Sequence, residues 1–203
     1  MADLVAEFGQ IDIYVFDQLL RGRLKPGMRI LDAGCGGGRN LVYFLKNGFD
    51  IFGVDADPHA VASVRAIASR LAPQLAADNF RAEPVEHMSF PDEWADAVLS
   101  SAVLHFAHDE GHFEAMVGEM WRVLKPGGLF FSRLASDIGM ESRMTLIDER
   151  RFLLPDGSER YLVNEAMLLE TTARLGARLV DPLKTTIVQD QRCMTTWVVR
   201  KTS

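Results

Sequence analysis

Residues 30–40, ILDAGCGGGRN, gather an acid, four glycines and a basic side chain within one short stretch. The apolar pair Ile30-Leu31 reads as the end of a buried strand, and LVYFLKNG beyond it reads as a helix. A strand that turns through glycines into a helix N-terminus lets a ligand approach backbone N–H groups, because a Cβ would block that approach or forbid positive φ. The helix end also carries partial positive charge, which suits a carboxylate or phosphate. The dinucleotide fingerprint G-x-G-x-x-G uses its third glycine for close helix–strand packing. Here Gly34-x-Gly36 is followed by Arg39 at that place, and Asp32, two residues ahead of Gly34, is foreign to that fingerprint.

Two further positions have chemistry to offer. Asp55 stands 21 residues after Gly34, at the end of the apolar run DIFGV. A carboxylate there can accept hydrogen bonds from both hydroxyls of a ribose. It can instead cap a helix opening at Pro58, a task for which Asp57 is already placed. After the run ADAVLSS come Ala102, Val103, Leu104 and His105. His105 is a general-base candidate provided its pKa lies near the working pH. His108 and His112 read as solvent-facing helix positions, and Met116, Met120 and Trp121 recur at the spacing of a core face. Cys35 reads as a small buried filler more readily than as a reactive thiol. No metal site is expected.

The elements that must hold these groups follow a clear rhythm. Apolar residues at helical spacing run through 3–22, with a break at Gly9. KPGM turns into a strand at Arg29–Ala33, and the glycine loop opens a helix from about Arg39 to Lys46, closed by Asn47-Gly48. A second strand covers Asp50–Val54, and a helix capped by Asp57 runs from Pro58 to about Leu71. Strands follow near Asn79–Glu83 and at Ala95–Ser101, then a helix over Asp109–Val123 and a strand over Leu129–Leu134. This alternation predicts βαβ units and a parallel sheet. Beyond residue 136 the rhythm changes to a hairpin about Pro155-Asp156-Gly157, a helix over Asn164–Leu175, and two β segments, Ala177–Gln189 and Arg192–Arg200. Strands joined as tightly as the last two must run antiparallel. The expected fold is α/β: a Rossmann-like, doubly wound, mostly parallel sheet with a C-terminal antiparallel hairpin. One domain is expected over 1–203, with a helical cap at 1–24 and an inserted hairpin or lid at 137–163.

Composition narrows the partners. With 203 residues, 48% hydrophobic and 25% charged, the chain is an ordinary globular protein. A formal net charge of −6 speaks against general nucleic-acid binding, which needs a basic footprint. Two cysteines provide no disulfide framework. The acid-bearing start, MADLVAEFGQID, does not read as a signal peptide, and no apolar run approaches a membrane span. A cytoplasmic protein that meets neither membrane nor nucleic acid is expected; the residues do not address oligomeric state.

Four stretches in order, LDAGCGGG, the acid in VDADP, FPDEWADAVLSSAVLHF and EMWRVLKPGGLFF, resemble the class I methyltransferases that use S-adenosylmethionine (SAM). The resemblance covers about residues 25 to 200. The continuation Gly38-Arg39-Asn40 is similar to the tellurite-resistance and thiopurine methyltransferase-like group, which suggests a soft or metalloid acceptor. It implies a seven-stranded methyltransferase fold, a cofactor turned over to S-adenosylhomocysteine, and a small-molecule methyl acceptor. It implies that Asp32 helps hold the methionine end, with Ala33, Gly34, Cys35, Gly36, Arg39 and Asn40 around it. Asp55 and Ala56 would meet the ribose, the Ser101 carbonyl would face the cofactor amino group, and Leu104 would pack on the cofactor. At the adenine end the chain departs from the family, which often places an aspartate where Pro84 stands. Either Glu83 or Glu86 substitutes, or the Val85 backbone holds the ring; Val85 and Glu86 are carried over.

Methyl transfer from a sulfonium needs only an aligned nucleophile, and a base only if the acceptor arrives protonated. The acceptor would meet the N-terminal helix (Phe8, Tyr14) and the 136–163 segment. That segment and its surroundings carry Arg133, Arg143, Arg150, Arg151 and Arg160, which also read as a solvated, charge-balanced hairpin. Two other readings compete: an NAD(P)-dependent oxidoreductase, and a SAM-binding protein without transfer activity.

Overall fold

The computed structural model describes residues 3–202. Helices α1 (Leu4–Phe8) and α2 (Ile13–Leu20) precede β1 (Arg29–Ala33), α3 (Val42–Lys46), β2 (Asp50–Asp55), α4 (Pro58–Leu71) and β3 (Phe80–Ala82). Then come β4 (Ala95–Ser101), α5 (Glu110–Val123), β5 (Leu124–Ala135), β6 (Thr145–Asp148), β7 (Arg151–Leu153) and β8 (Glu159–Tyr161). The chain closes with α6 (Glu165–Arg174), β9 (Ala177–Leu179), β10 (Lys184–Val188) and β11 (Arg192–Lys201). The caps are those the residues suggest: Asp57 accepts from the His59 N–H at the start of α4, and Asp109 from the His112 N–H at the start of α5.

The main sheet has eight strands, ordered β3-β2-β1-β4-β5-β11-β10, with β9 also paired to β11. Pairing is parallel from β3 to β5, and β11 runs antiparallel to both β5 and β10. Strand order therefore reverses between β1 and β4, the place where open α/β sheets hold ligands at their carboxyl ends. Because side chains alternate across a strand, neighbours in sequence feed opposite cores. Leu31, Val98, Phe130, Trp197 and Val199 pack with α5 and α6, whereas Ile30, Leu99, Phe131 and Val198 pack with α2, α3 and α4.

Four elements differ from the sequence reading, one being β5, which begins at Leu124 and not at Leu129. The helix after the glycine loop starts at Val42, not near Arg39, because the Gly38 and Leu41 amides close turns onto the Cys35 and Gly38 carbonyls first. The segment Ala177–Gln189 is two strands, since Pro182 has no N–H to offer a ladder. The segment after β5 holds a three-stranded sheet, β6-β7-β8, rather than a lone hairpin. Tyr161 stacks on Phe113 at 5.4 Å, and Leu154 and Leu162 are buried, so this sheet is seated on the main body. No helix among the described residues is long and apolar enough to cross a membrane.

Phe131 is fully buried in β5, between β4 and β11. Phe131→Ala should cost about 3–5 kcal/mol and lower Tm by roughly 10 °C in a thermal scan. A loss under about 1 kcal/mol would show that the sheet does not carry the core in this way.

Candidate active site

A cavity of about 690 Å³ opens over the carboxyl ends of the parallel strands, within the size range of small-molecule sites. Gly34 to Gly37 and Arg39-Asn40 form one wall, Asp55-Ala56 follow β2, Pro84 to Glu86 follow β3, and Ser101 to Val103 leave β4. Phe106, His108, His112 and Met116 close the far side.

Local conformation makes the floor possible. Gly34 has φ +82°, and a Cβ there would stand 2.3 Å from Val103 Cγ2, so only glycine lets the loop pass beneath the β4 exit. Gly36, also at positive φ, would meet no protein atom with its Cβ and leaves its side of the cavity open. Its N–H donates to Asp55 Oδ2 at 2.8 Å, and the Asp57 N–H donates to Asp55 Oδ1 at 2.9 Å. Asp55 thus ties the glycine loop to the end of β2, and its carboxylate keeps further lone pairs for a ligand. Ala102 stands at φ +67°, a strained position for a residue with a Cβ, in the turn that leaves β4.

Asp32 is almost fully buried at the end of β1, and neither carboxylate oxygen has a hydrogen-bond partner. Burial pushes its pKa from 3.8 up to about 7; nearby Arg39 opposes the rise and Asp55 adds to it. Orphaned buried oxygens are expensive, so this carboxylate fits a ligand that brings donors or positive charge, directly or through water. Asp32 and Ala33 lie off the cavity wall, whereas Gly34, Cys35, Gly36, Arg39, Asn40, Asp55, Ala56, Val85, Glu86 and Ser101 are on it. Cys35 is buried against Gly53, and burial beside Asp32 and Asp55 drives its thiol far above the usual range, which suits packing and not reactivity.

Arg39 and Asn40 are tied into a network that begins in the N-terminal segment. The Asn40 side chain accepts from the Asp12 N–H at 2.9 Å. The Asp12 carboxylate accepts from Ser101 Oγ at 3.1 Å and Arg133 Nη1 at 3.0 Å, and Ser101 Oγ accepts from Arg39 Nη2 at 3.1 Å. Asp12 carries no motif, and only its burial beside Arg133 and the Ser101 hydroxyl discloses its part.

At the β3 end Glu83 and Glu86 are placed differently. Both Glu83 oxygens accept from Ser89, one from its N–H and one from its hydroxyl, and Glu83 is off the wall. Glu86 is on the wall and faces His112 Nε2 at 3.5 Å. His108, exposed as expected, and His112, half-buried against expectation, both line the cavity: the approach to α5 and its first turn lie along the site, and the His108 N–H donates to His112 Nδ1 at 3.2 Å. Met116 serves both core and wall, one turn further along the same helix face.

Leu104 and His105 depart from expectation. Leu104 is fully buried in the core and off the wall, because the chain after Val103 folds into a short 3₁₀ turn, Leu104–Phe106, that aims it inward. His105 lines a second cavity of about 340 Å³, which shares Arg39, Ala102 and Phe106 with the first. Burial, and then Arg160 and Arg133, lower its pKa to about 4, away from the range in which a general base works near neutrality. The Ala135 N–H donates to its Nδ1 at 3.3 Å, so the neutral ring carries its proton on Nε2. Among the described residues no group of three or more His, Cys, Asp and Glu is placed to hold a metal ion.

The raised Asp32 pKa has a signed consequence. Between about pH 4 and 7 the unfolded chain has released a proton that the native chain keeps, so stability is intact below that window and falls across it. Asp32→Asn should match the native protein near pH 4 and exceed it at pH 8, by an amount on the order of a few kcal/mol. Denaturant unfolding of both proteins at pH 5 and 8, without ligand, measures the difference. A gap that does not widen with pH would mean that Asp32 ionises as an ordinary carboxylate.

Comparison with known proteins accords with this architecture. The family model described as "Methyltransferase domain" matches residues 31–132, from β1 through most of β5. A ubiquinone biosynthesis O-methyltransferase of Brucella anthropi is 29% identical over 79% of this chain and 64% of its own length. An uncharacterized methyltransferase of Synechocystis is 31% identical over 53% of this chain and 47% of its own. The chain thus spans between about half and two thirds of the curated relatives it matches. Among solved structures, the Burkholderia thailandensis 1,6-didemethyltoxoflavin-N1-methyltransferase, with bound S-adenosylhomocysteine, superposes with a TM-score of 0.72. The match covers 99% of this chain and 82% of that one at 20% identity, a likeness of fold. From the matched span and the fold together, the chain belongs to the methyltransferase domain family.

Proposed function

We propose that this protein transfers the methyl group of SAM to a small-molecule nucleophile. The observation that carries the reading is the Asp32 carboxylate, buried with both oxygens orphaned at the end of β1, beside a cavity lined by Asp55 from the end of the neighbouring strand β2. One partner that completes both is a ligand with an ammonium at one end and a ribose in the middle. Asp32 would meet the α-ammonium, the Gly34–Gly36 backbone would lie along the methionine portion, and Asp55 with Ala56 would take the ribose hydroxyls. Val85 and Glu86 would hold the adenine side in place of the acid that Pro84 displaces, and the Ser101 carbonyl would meet the cofactor's amino group. The Gly38-Arg39-Asn40 continuation supports a place near the tellurite-resistance and thiopurine group.

When bound, SAM supplies the electrophile, a methyl on a sulfonium that departs as a thioether. The chain's own work is placement. The glycine loop and Asp55 fix one reactant, and the acceptor must reach about 3 Å from the methyl carbon, opposite sulfur. His105, neutral and poorly basic, would orient rather than deprotonate. The N-terminal segment and the 137–163 segment would form the acceptor side: the first is tied to the site through Asp12, and the second places Arg160 beside Phe106 at 5.0 Å.

Thermal-shift titration with SAM, S-adenosylhomocysteine, NAD and NADP tests the cofactor, with Asp55→Ala as the control. A ligand at about 100 times its Kd stabilises by roughly 2.7 kcal/mol, and each kcal/mol moves Tm by about 2–4 °C at this size. SAM and its product should shift the native protein by several degrees and the variant much less. A shift with NAD or NADP alone would make the loop a dinucleotide site. Binding of SAM with no methylated product across an acceptor panel would favour a SAM-binding protein without transfer.

A further inference from the structure

The second cavity lies against the first, and four arginines from four separate segments converge on it. Arg39 comes from the glycine loop, Arg133 from β5, Arg160 from β8 and Arg192 from the start of β11. The surrounding carboxylates do not balance them. Arg133 pairs with Asp12 at 3.0 Å, yet its buried Nε has no partner. Arg192 forms an ion pair with Asp156 at 3.7 Å, longer than a hydrogen bond, and this single carboxylate is the one that both Arg192 and Arg160 face. Among the described residues neither Arg39 nor Arg160 has a carboxylate within ion-pair distance; Arg39 donates to Ser101 Oγ, and Arg160 donates to the Glu159 carbonyl and lies over the Phe106 ring. This concentration of positive charge occurs in a chain whose net charge is −6. Burial lowers the His105 pKa most, and Arg160 and Arg133 lower it further. The three other arginines nearby are occupied: Arg143 pairs with Asp190, Arg150 with Asp137 and Arg151 with Glu159. The remaining wall includes Ala135, Leu154 and Met194, which offers apolar contact to the body of a ligand.

We propose that this cavity is the acceptor pocket and that it selects an organic anion, whose oxyanion group, carboxylate or phosphate, is gripped by Arg160 and Arg192. The identification of the occupant as the methyl acceptor rests on the methyltransferase reading; the anion site itself does not. Arg160 and Arg192 line only the second cavity, whereas Arg39, Ala102 and Phe106 line both. The charged group is therefore the anchor at the end away from the first cavity, and the rest of the molecule points toward the shared wall, where the nucleophile would meet the cofactor. A guanidinium fork matches carboxylate or phosphate oxygens in pairs, which a lysine would not do.

Ligand-observed NMR titration of the full chain tests this without turnover. The probes are benzoate, phenylacetate and phenyl phosphate, set against the neutral benzamide and phenylacetamide. At least one oxyanion probe should bind at least tenfold more tightly than the matching amides, and the carboxylate and phosphate arms state which oxyanion is preferred. Arg160→Gln with Arg192→Gln should weaken that probe tenfold or more while the Kd for SAM, measured separately by calorimetry, stays within about twofold. Arg192 is exposed and Arg160 half-buried, so both changes should fold; an unaltered Tm confirms this. Equal binding of acid and amide, no binding of any oxyanion probe, or indifference to the double substitution would overturn the proposal. Oxyanion binding that survives in a protein that fails to bind SAM would sink the cofactor reading and leave the anion site standing.

Discussion

The position of β1 between β2 and β4 is the constraint on which the rest depends. Its hydrogen bonds run in parallel register to both neighbours, with Asp32 opposite Gly53 on one side and Leu99 on the other. Parallel pairing sets the carboxyl ends of β1, β2 and β4 side by side, so the loops that leave them must share one edge of the sheet. That edge is where Asp32 is stranded without partners, where Asp55 receives the Gly36 amide, and where the β4 exit presses on Gly34.

Asp12 extends this arrangement to the N-terminal segment. A single buried carboxylate receives donors from β4 and β5, and its own backbone N–H is held by Asn40 of the glycine loop. Buried charges persist only when paired and hydrogen-bonded, so the network has few alternative arrangements. The same network positions Arg39 on the wall the cavities share and Arg133 on the wall of the second, so the N-terminal segment reaches the site through Asp12.

The two cavities differ in charge. The larger has Asp55 and Glu86 on its wall and Asp32 behind it; the smaller has four guanidiniums and a single carboxylate, Asp156. Opposite fields across a shared wall would orient two ligands of different charge toward each other before any close contact forms, since groups inside low-dielectric clefts feel one another strongly.

What the sequence by itself determined is local and periodic. The α4 helix from Pro58 with its Asp57 cap, the β4 strand over Ala95–Ser101 and the glycine loop with Asp55 beyond it depend on residues a few positions apart, and their signals survive without any knowledge of the fold. The start of α3 was missed because turns internal to the loop, and not helix propensity, decide where the chain begins to coil. Facing direction is the larger gap. His112 and Met116 reveal nothing about whether their helix face meets water or a cavity, and Leu104 and His105 are adjacent residues sent to different places by one 3₁₀ turn. The same holds for the arginines: Arg150, Arg151 and Arg160 are close in sequence, yet the first two pair with Asp137 and Glu159 while Arg160 donates only to a backbone carbonyl. Charge and periodicity are written along the chain, but which charges lack a partner is a property of the packed whole, because only tertiary contact decides which carboxylate each guanidinium reaches.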